Sequence, residues 1–109
     1  MSAPLHGVLD ELYATIESRR GADPASSYVA SLLAKGEDAA LKKVGEEAAE
    51  FLLAAKNGEP DALVHELADL WFHCLVVLAG HQIPLEALST ELARRQGRSG
   101  IEEKAARGK

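Results

Sequence analysis

The chain has 109 residues, 47% of them hydrophobic and 27% charged, with 12 basic and 17 acidic side chains and a net charge of -5. Length and composition fit one soluble domain with a modest core, and the single cysteine excludes a disulfide framework. No N-terminal apolar signal segment and no run of membrane-spanning length is recognisable, so the expectation is a reduced, cytoplasmic compartment with no membrane partner.

The first helix is predicted over residues 5–19, where Leu5, Val8, Leu9, Leu12 and Ile16 recur at helical spacing with Tyr13 beside them. Gly21-Ala22-Asp23-Pro24 breaks it. Ser26 or Ser27 can cap a short second helix that buries Tyr28, Leu32 and Leu33 and stops at Lys35-Gly36. The third helix runs from about Glu37 to Lys56 and ends at Asn57-Gly58, and its apolar stripe is Val44, Ala48, Phe51 and Ala55. Pro60 suits the first turn of the fourth helix, whose core face is Leu63, Leu67, Leu70, Cys74 and Leu78. Gly80 closes the fourth helix, and Pro84 opens a fifth with a stripe of Leu85, Leu88 and Leu92 that ends at Arg94-Arg95. The remaining RSGIEEKAARGK reads as a loop with one helical turn at most, and residues 98–109 as a mobile basic tail. No alternating strand pattern, internal repeat or low-complexity tract is present.

The third and fourth helices carry the chemistry. LKKVGEEAAE places Glu46, Glu47 and Glu50 within about one and a half turns, and HELAD places Glu66 beside Asp69. On the stripes above, Glu47 and Glu50 border one apolar face, while Glu66, Asp69 and His73 border the other. An antiparallel pairing across the short Asn57-Gly58 break brings the two carboxylate pairs together. Carboxylates so grouped repel, and a hard divalent cation with oxygen ligands removes that cost. The competing reading of any such acidic run is a solvated helix face.

From Leu70 to Ala79 the fourth helix is apolar nearly all round and needs cover on every side. Val76 and Val77 lie off the core stripe. The expectation is therefore an all-α fold of four to five helices over residues 1–109, a bundle completed by homodimerisation. A compact monomer with a fully central fourth helix is the alternative. Charge points to a small anionic ligand rather than nucleic acid. Residues 94–109 carry six basic and two acidic side chains, against six and fifteen elsewhere.

These residues resemble the phosphoribosyl-ATP pyrophosphohydrolases of histidine biosynthesis, within the all-α nucleoside-triphosphate pyrophosphohydrolases. The resemblance covers almost the whole chain, through VLDELYATIESRR, SSYVASLLAKG, LKKVGEEAAE, HELADLWFH and SGIEEKAAR. Val29 stands where the family favours Thr. The resemblance implies that Glu47, Glu50, Glu66 and Asp69 hold Mg²⁺, with Mn²⁺ as an alternative ion, and that Glu46 assists. These five carboxylates are the implied catalytic set. It implies hydrolysis of the α–β bond of phosphoribosyl-ATP to phosphoribosyl-AMP and pyrophosphate. Lys42, Lys43, Arg98, Lys104 and Arg107 are candidate phosphate contacts, the tail residues closing over the substrate. Lys35 is a weaker candidate of the same kind.

Other residues read as structural. Ser27 is a cap, Tyr28 and Cys74 are core, and Trp71 is a packing or dimer contact. His73 is a hydrogen-bonded structural histidine, while His6, His65 and His81 lie on the surface. Two other functions compete: a house-cleaning pyrophosphatase of nucleoside triphosphates, and a non-enzymatic helical dimerisation module.

Overall fold

The computed structural model describes residues 3–97 and 99–107, and among these every regular element is a helix. In chain order they are α1 (Leu5–Arg19), α2 (Tyr28–Ala34), α3 (Glu37–Asn57), α4 (Pro60–Gly80), α5 (Leu85–Arg95) and α6 (Gly100–Arg107).

Local chemistry sets most boundaries. The Ser27 Oγ accepts the Ala30 N–H at 3.1 Å and starts α2. Gly36, at φ 99° and ψ 165°, turns the chain into α3 from an extended conformation of positive φ. Gly58 does take the αL form, φ 68° and ψ 27°, and its N–H caps the carbonyls of Ala54 and Ala55. Pro60 then sits in the first turn of α4, where its missing N–H costs nothing. The connection is so short that α4 must run back along α3. At the far end of this hairpin the His81 Nε2 meets the Glu37 carboxylate at 2.6 Å.

The core gathers at that far end: Tyr13 and Ile16 of α1, Val29 and Leu32 of α2, Ala40 of α3, and Leu75, Val76 and Ala79 of α4. Ile16 and Val76 are sealed from solvent, each burial contributing about 1.5–3 kcal/mol. The Tyr13 hydroxyl donates to the Ile83 carbonyl. Arg20 Nη1 donates to the Ala79 carbonyl at 2.9 Å, fastening α1 to the end of α4.

Several expectations are corrected here. Val76 has no solvent exposure within the single chain, so it belongs to the chain's own core and not to a contact between copies. Cys74, expected in the core, is exposed. In this nearly all-apolar segment the one polar position, His73, is itself buried, so periodicity could not tell which arc of α4 faces inward. On α3 the stripe is rotated as well. Ala40, Glu47 and Ala54 are buried, Val44, Ala48 and Phe51 are half-buried, and Ala55 is exposed. Tyr28 is 52% exposed rather than core. The expected terminal loop is a helix of eight residues, α6. Residues 98, 108 and 109, part of the expected mobile tail, lie outside the described residues.

Contrary to the sequence reading, α4 is long and apolar enough to cross a membrane, with 21 residues and a mean hydropathy of 1.6 over its most apolar stretch. Its apolarity serves the core through Leu75, Val76 and Ala79, while Glu66 and Asp69 sit half-buried near its middle. By contrast α5 buries no residue. Leu5 and Leu9 of α1, Trp71 and Cys74 of α4, and Leu88 and Leu92 of α5 line an apolar groove of about 400 Å³.

Candidate metal and substrate site

Because α3 and α4 are antiparallel, residues equally far from the Gly58 turn face one another. Glu47 and Glu50 of α3 thus meet Glu66 of α4, one carboxylate oxygen from each lying within 4.8 Å of the others. Glu66 also groups with His65 and Asp69 at the same limit. Glu66 is shared by both sets, so the two carboxylate pairs form one continuous acidic face. Glu46 is exposed and stands outside both sets.

Burial within this face is unequal. Glu47 is only 6% exposed, deep in the interhelical seam. Glu66 and Asp69 are half-buried, and Glu50 is exposed. The Glu47 Oε2 and Glu66 Oε1 atoms are buried with no hydrogen-bond partner. Leaving a buried carboxylate oxygen unsatisfied is costly, so two on facing helices require an explanation. The crowding also acts on acidity. A hydrogen bond to Glu47 holds the Glu50 carboxyl above its ordinary range, and repulsion from Glu47 and Glu66 adds to it.

One cation of the chain already answers part of this charge. The Lys43 Nζ lies 3.4 Å from Glu47 and 3.6 Å from Glu46. Its pKa is raised, chiefly by the hydrogen bond to Glu47. Lys42, its neighbour, is exposed. Lys104 and Arg107 are exposed on α6, and no hydrogen bond or ion pair among the described residues brings them to the carboxylates. Arg98 lies outside the described residues.

Histidines frame the face. His65, expected on the surface, is indeed exposed, yet its Nε2 is 3.4 Å from Asp69 Oδ2. Its place four residues before Asp69, on one helix face, was the signal for this contact. His73 is 6% exposed, with Nδ1 at 2.7 Å from the Asp69 carbonyl oxygen and Nε2 at 2.8 Å from the Tyr28 hydroxyl. It is therefore the hydrogen-bonded histidine expected. Tyr28, read from sequence as core, instead reaches across from α2 to the border of the acidic face.

The donor set fits a hard divalent cation. Glu47, Glu50 and Glu66 offer only oxygen, two of their atoms are buried and orphaned, and their mutual repulsion vanishes when a dication sits among them. The adjoining Lys43 suits phosphate as a point charge.

The sequence also matches known proteins along most of its length. A family model described as phosphoribosyl-ATP pyrophosphohydrolase matches residues 9–96, which include both acidic motifs. A relative in Bordetella avium is 55% identical over 111 residues, covering 97% of this chain and 96% of its own. One in Trichlorobacter lovleyi is 59% identical over 100 residues, covering 92% and 93%. One in Nitrosomonas eutropha is 54% identical over 100 residues, covering 92% and 86%. All three are named phosphoribosyl-ATP pyrophosphatase.

Proposed function

The chain belongs to the phosphoribosyl-ATP pyrophosphohydrolase family, and from that premise we propose how its own residues perform the family's reaction. The reaction is hydrolysis of the α–β phosphoanhydride of phosphoribosyl-ATP to phosphoribosyl-AMP and pyrophosphate, in histidine biosynthesis.

The active face is the carboxylate group of the hairpin. Glu47, Glu50, Glu66 and Asp69 hold Mg²⁺, or Mn²⁺ in its place, and Glu46 assists from the rim. The orphaned oxygens of Glu47 and Glu66 carry this reading. When bound, the ion supplies neutralisation of the triphosphate and Lewis-acid polarisation of its oxygens.

The chain's residues supply placement. Glu47 and Glu66 are held by the packing of α3 on α4, so their oxygens are fixed before substrate arrives. Glu50, more exposed, stands at the open side where the triphosphate enters. Lys43 sits beside Glu47, within reach of a phosphate oxygen, and Lys42 extends the positive edge. The far phosphate of the substrate would be repelled by the acidic face, so Arg98, Lys104 and Arg107 receive it. Deleting residues 98–109 should then weaken phosphoribosyl-ATP turnover more than hydrolysis of ATP. Equal losses would remove the tail from recognition.

The apolar groove between α1, α4 and α5 supports assembly as a homodimer, its open leucines covered by a second copy. Such an enzyme works on a dissolved substrate, and the cytoplasm is its compartment. Pyrophosphate release with and without Mg²⁺, compared among the native chain, Glu50→Gln and Asp69→Asn, tests the site. Retained turnover in both variants at saturating Mg²⁺ would refute it.

A further inference from the structure

Lys43 reaches two carboxylates in unlike surroundings. Its Nζ lies 3.4 Å from Glu47 Oε1 and 3.6 Å from Glu46 Oε1. Glu47 is 6% exposed and belongs to the oxygen set it forms with Glu50 and Glu66. Glu46 is exposed and belongs to neither set. Both lie on the helix face of Lys43, one turn further along, so a single flexible stem serves either of them with no change in α3.

The ammonium answers Glu47 only in part. It is one compact charge at one oxygen, and the buried Oε2 of the same carboxylate has no hydrogen-bond partner. A dication among Glu47, Glu50 and Glu66 carries twice that charge. Lys43 and the ion are then like charges drawn to one carboxylate, and they repel at close range. Glu46 offers the ammonium an anchor outside the set that faces the ion.

We propose that Lys43 and the divalent ion compete for Glu47, and that the ion shifts the ammonium onto Glu46, where it meets a phosphate oxygen of the substrate. Lys43 thereby couples ion binding to phosphate binding, and Glu46 is a positioning residue that acts through Lys43. This rests on the ion belonging among the hairpin carboxylates. Calorimetry with Mg²⁺ alone tests the competition. Lys43→Met keeps an unbranched stem and drops the charge, so it should bind Mg²⁺ about three- to tenfold more tightly than the native chain. Lys43→Arg keeps the charge and should stay within about twofold. A lysine that merely held Glu47 in place would weaken Mg²⁺ binding when lost, so unchanged or weaker binding by Lys43→Met overturns the proposal. A native chain that takes up no Mg²⁺ would instead refute the site itself. Pyrophosphate, added at saturating Mg²⁺, tests the transfer. Lys43→Met should weaken its binding by about tenfold. Glu46→Gln should weaken it too, and should add nothing once Lys43 is Met. A Glu46 that only repelled phosphate would give the opposite sign. Tighter pyrophosphate binding by Glu46→Gln, or a further loss in the double variant, would overturn its positioning role.

Discussion

Glu50 on the α3–α4 hairpin, exposed, and Glu91 on α5, half-buried, are the same side chain on helices, yet their acidities move in opposite directions. Glu50 is raised by its hydrogen bond to Glu47 and by repulsion from its neighbours. Glu91 is lowered to about 2 by hydrogen bonds from Arg94, at 2.7 Å, and Arg95, at 3.0 Å. On the α5–α6 arm, charge is satisfied within a few residues. The same holds at the start of α6, where Ser99 Oγ accepts the Glu102 N–H at 3.0 Å and Glu102 accepts the Ser99 N–H at 2.9 Å. On the hairpin, charges of one sign are pressed together across two helices, and Lys43 answers only part of them. Local pairing serves the helix that carries it, whereas the crowding between two helices is the cost that the proposed cation would relieve.

The widest separation between the two regions is in activity. Glu50→Gln and Asp69→Asn should each lower kcat by about 10²-fold or more with helix content unchanged by circular dichroism. Glu91→Gln, on the arm, should leave kcat within twofold, roughly the scatter of a surface change. A Glu91→Gln enzyme as impaired as Glu50→Gln would erase the distinction.

Next comes the core that carries the hairpin. Val76→Asp buries an unpaired charge among α1, α2 and α4 and should cost roughly 3–5 kcal/mol in denaturant unfolding. Leu88→Asp, on the groove of α5, should leave the chain folded and, for the proposed dimer, halve the mass in light scattering. A Leu88→Asp protein of unchanged mass would contradict a dimer formed through this groove.

Most of the fold was legible in the chain. The span of α1, the Asn57-Gly58 break, Pro60 at the start of α4 and the Ser27 cap are local signals, and each appears in the structure. The grouping of Glu47, Glu50, Glu66 and Asp69 was legible for the same reason, since i, i+3 spacing survives whichever way the helix rolls. The roll itself was not. The one polar position from Leu70 to Ala79, His73, is itself buried and does not mark the outer arc, so Val76 and Cys74 were exchanged; on α3, Glu47 was set at the edge of a stripe whose middle it occupies. Tyr28 was misplaced because its partner, His73, is 45 residues away. The α6 helix was legible and overlooked: Ser99-x-x-Glu102 is a capping box.

Smaller effects follow from pH. An acid with a raised folded pKa makes the fold less stable as pH rises from its unfolded value through its folded one. Without divalent ions the native chain should therefore lose stability over that interval, and Glu50→Gln should flatten the loss. Glu91 has the opposite sign. Its support is present above the ordinary carboxylate pKa and fades as pH falls toward about 2, a fade that Glu91→Gln should remove. Thermal melts across pH 2–7 read both slopes. The smallest change belongs to Ser99→Ala, which should cost about 1 kcal/mol of local stability, seen as faster amide exchange in α6 alone.

The central claim is that the hairpin carboxylates are crowded because a divalent cation belongs among them. Its most direct measurement is the melting temperature with and without Mg²⁺, for the native chain and for Glu50→Gln, with no substrate present. A ligand that binds only the folded state raises stability in proportion to the logarithm of its concentration above Kd. The native protein should gain several degrees at millimolar Mg²⁺, and Glu50→Gln should gain little while starting from an equal or higher value in its absence. Equal Mg²⁺ stabilisation of both proteins, or none in the native chain, would contradict the account.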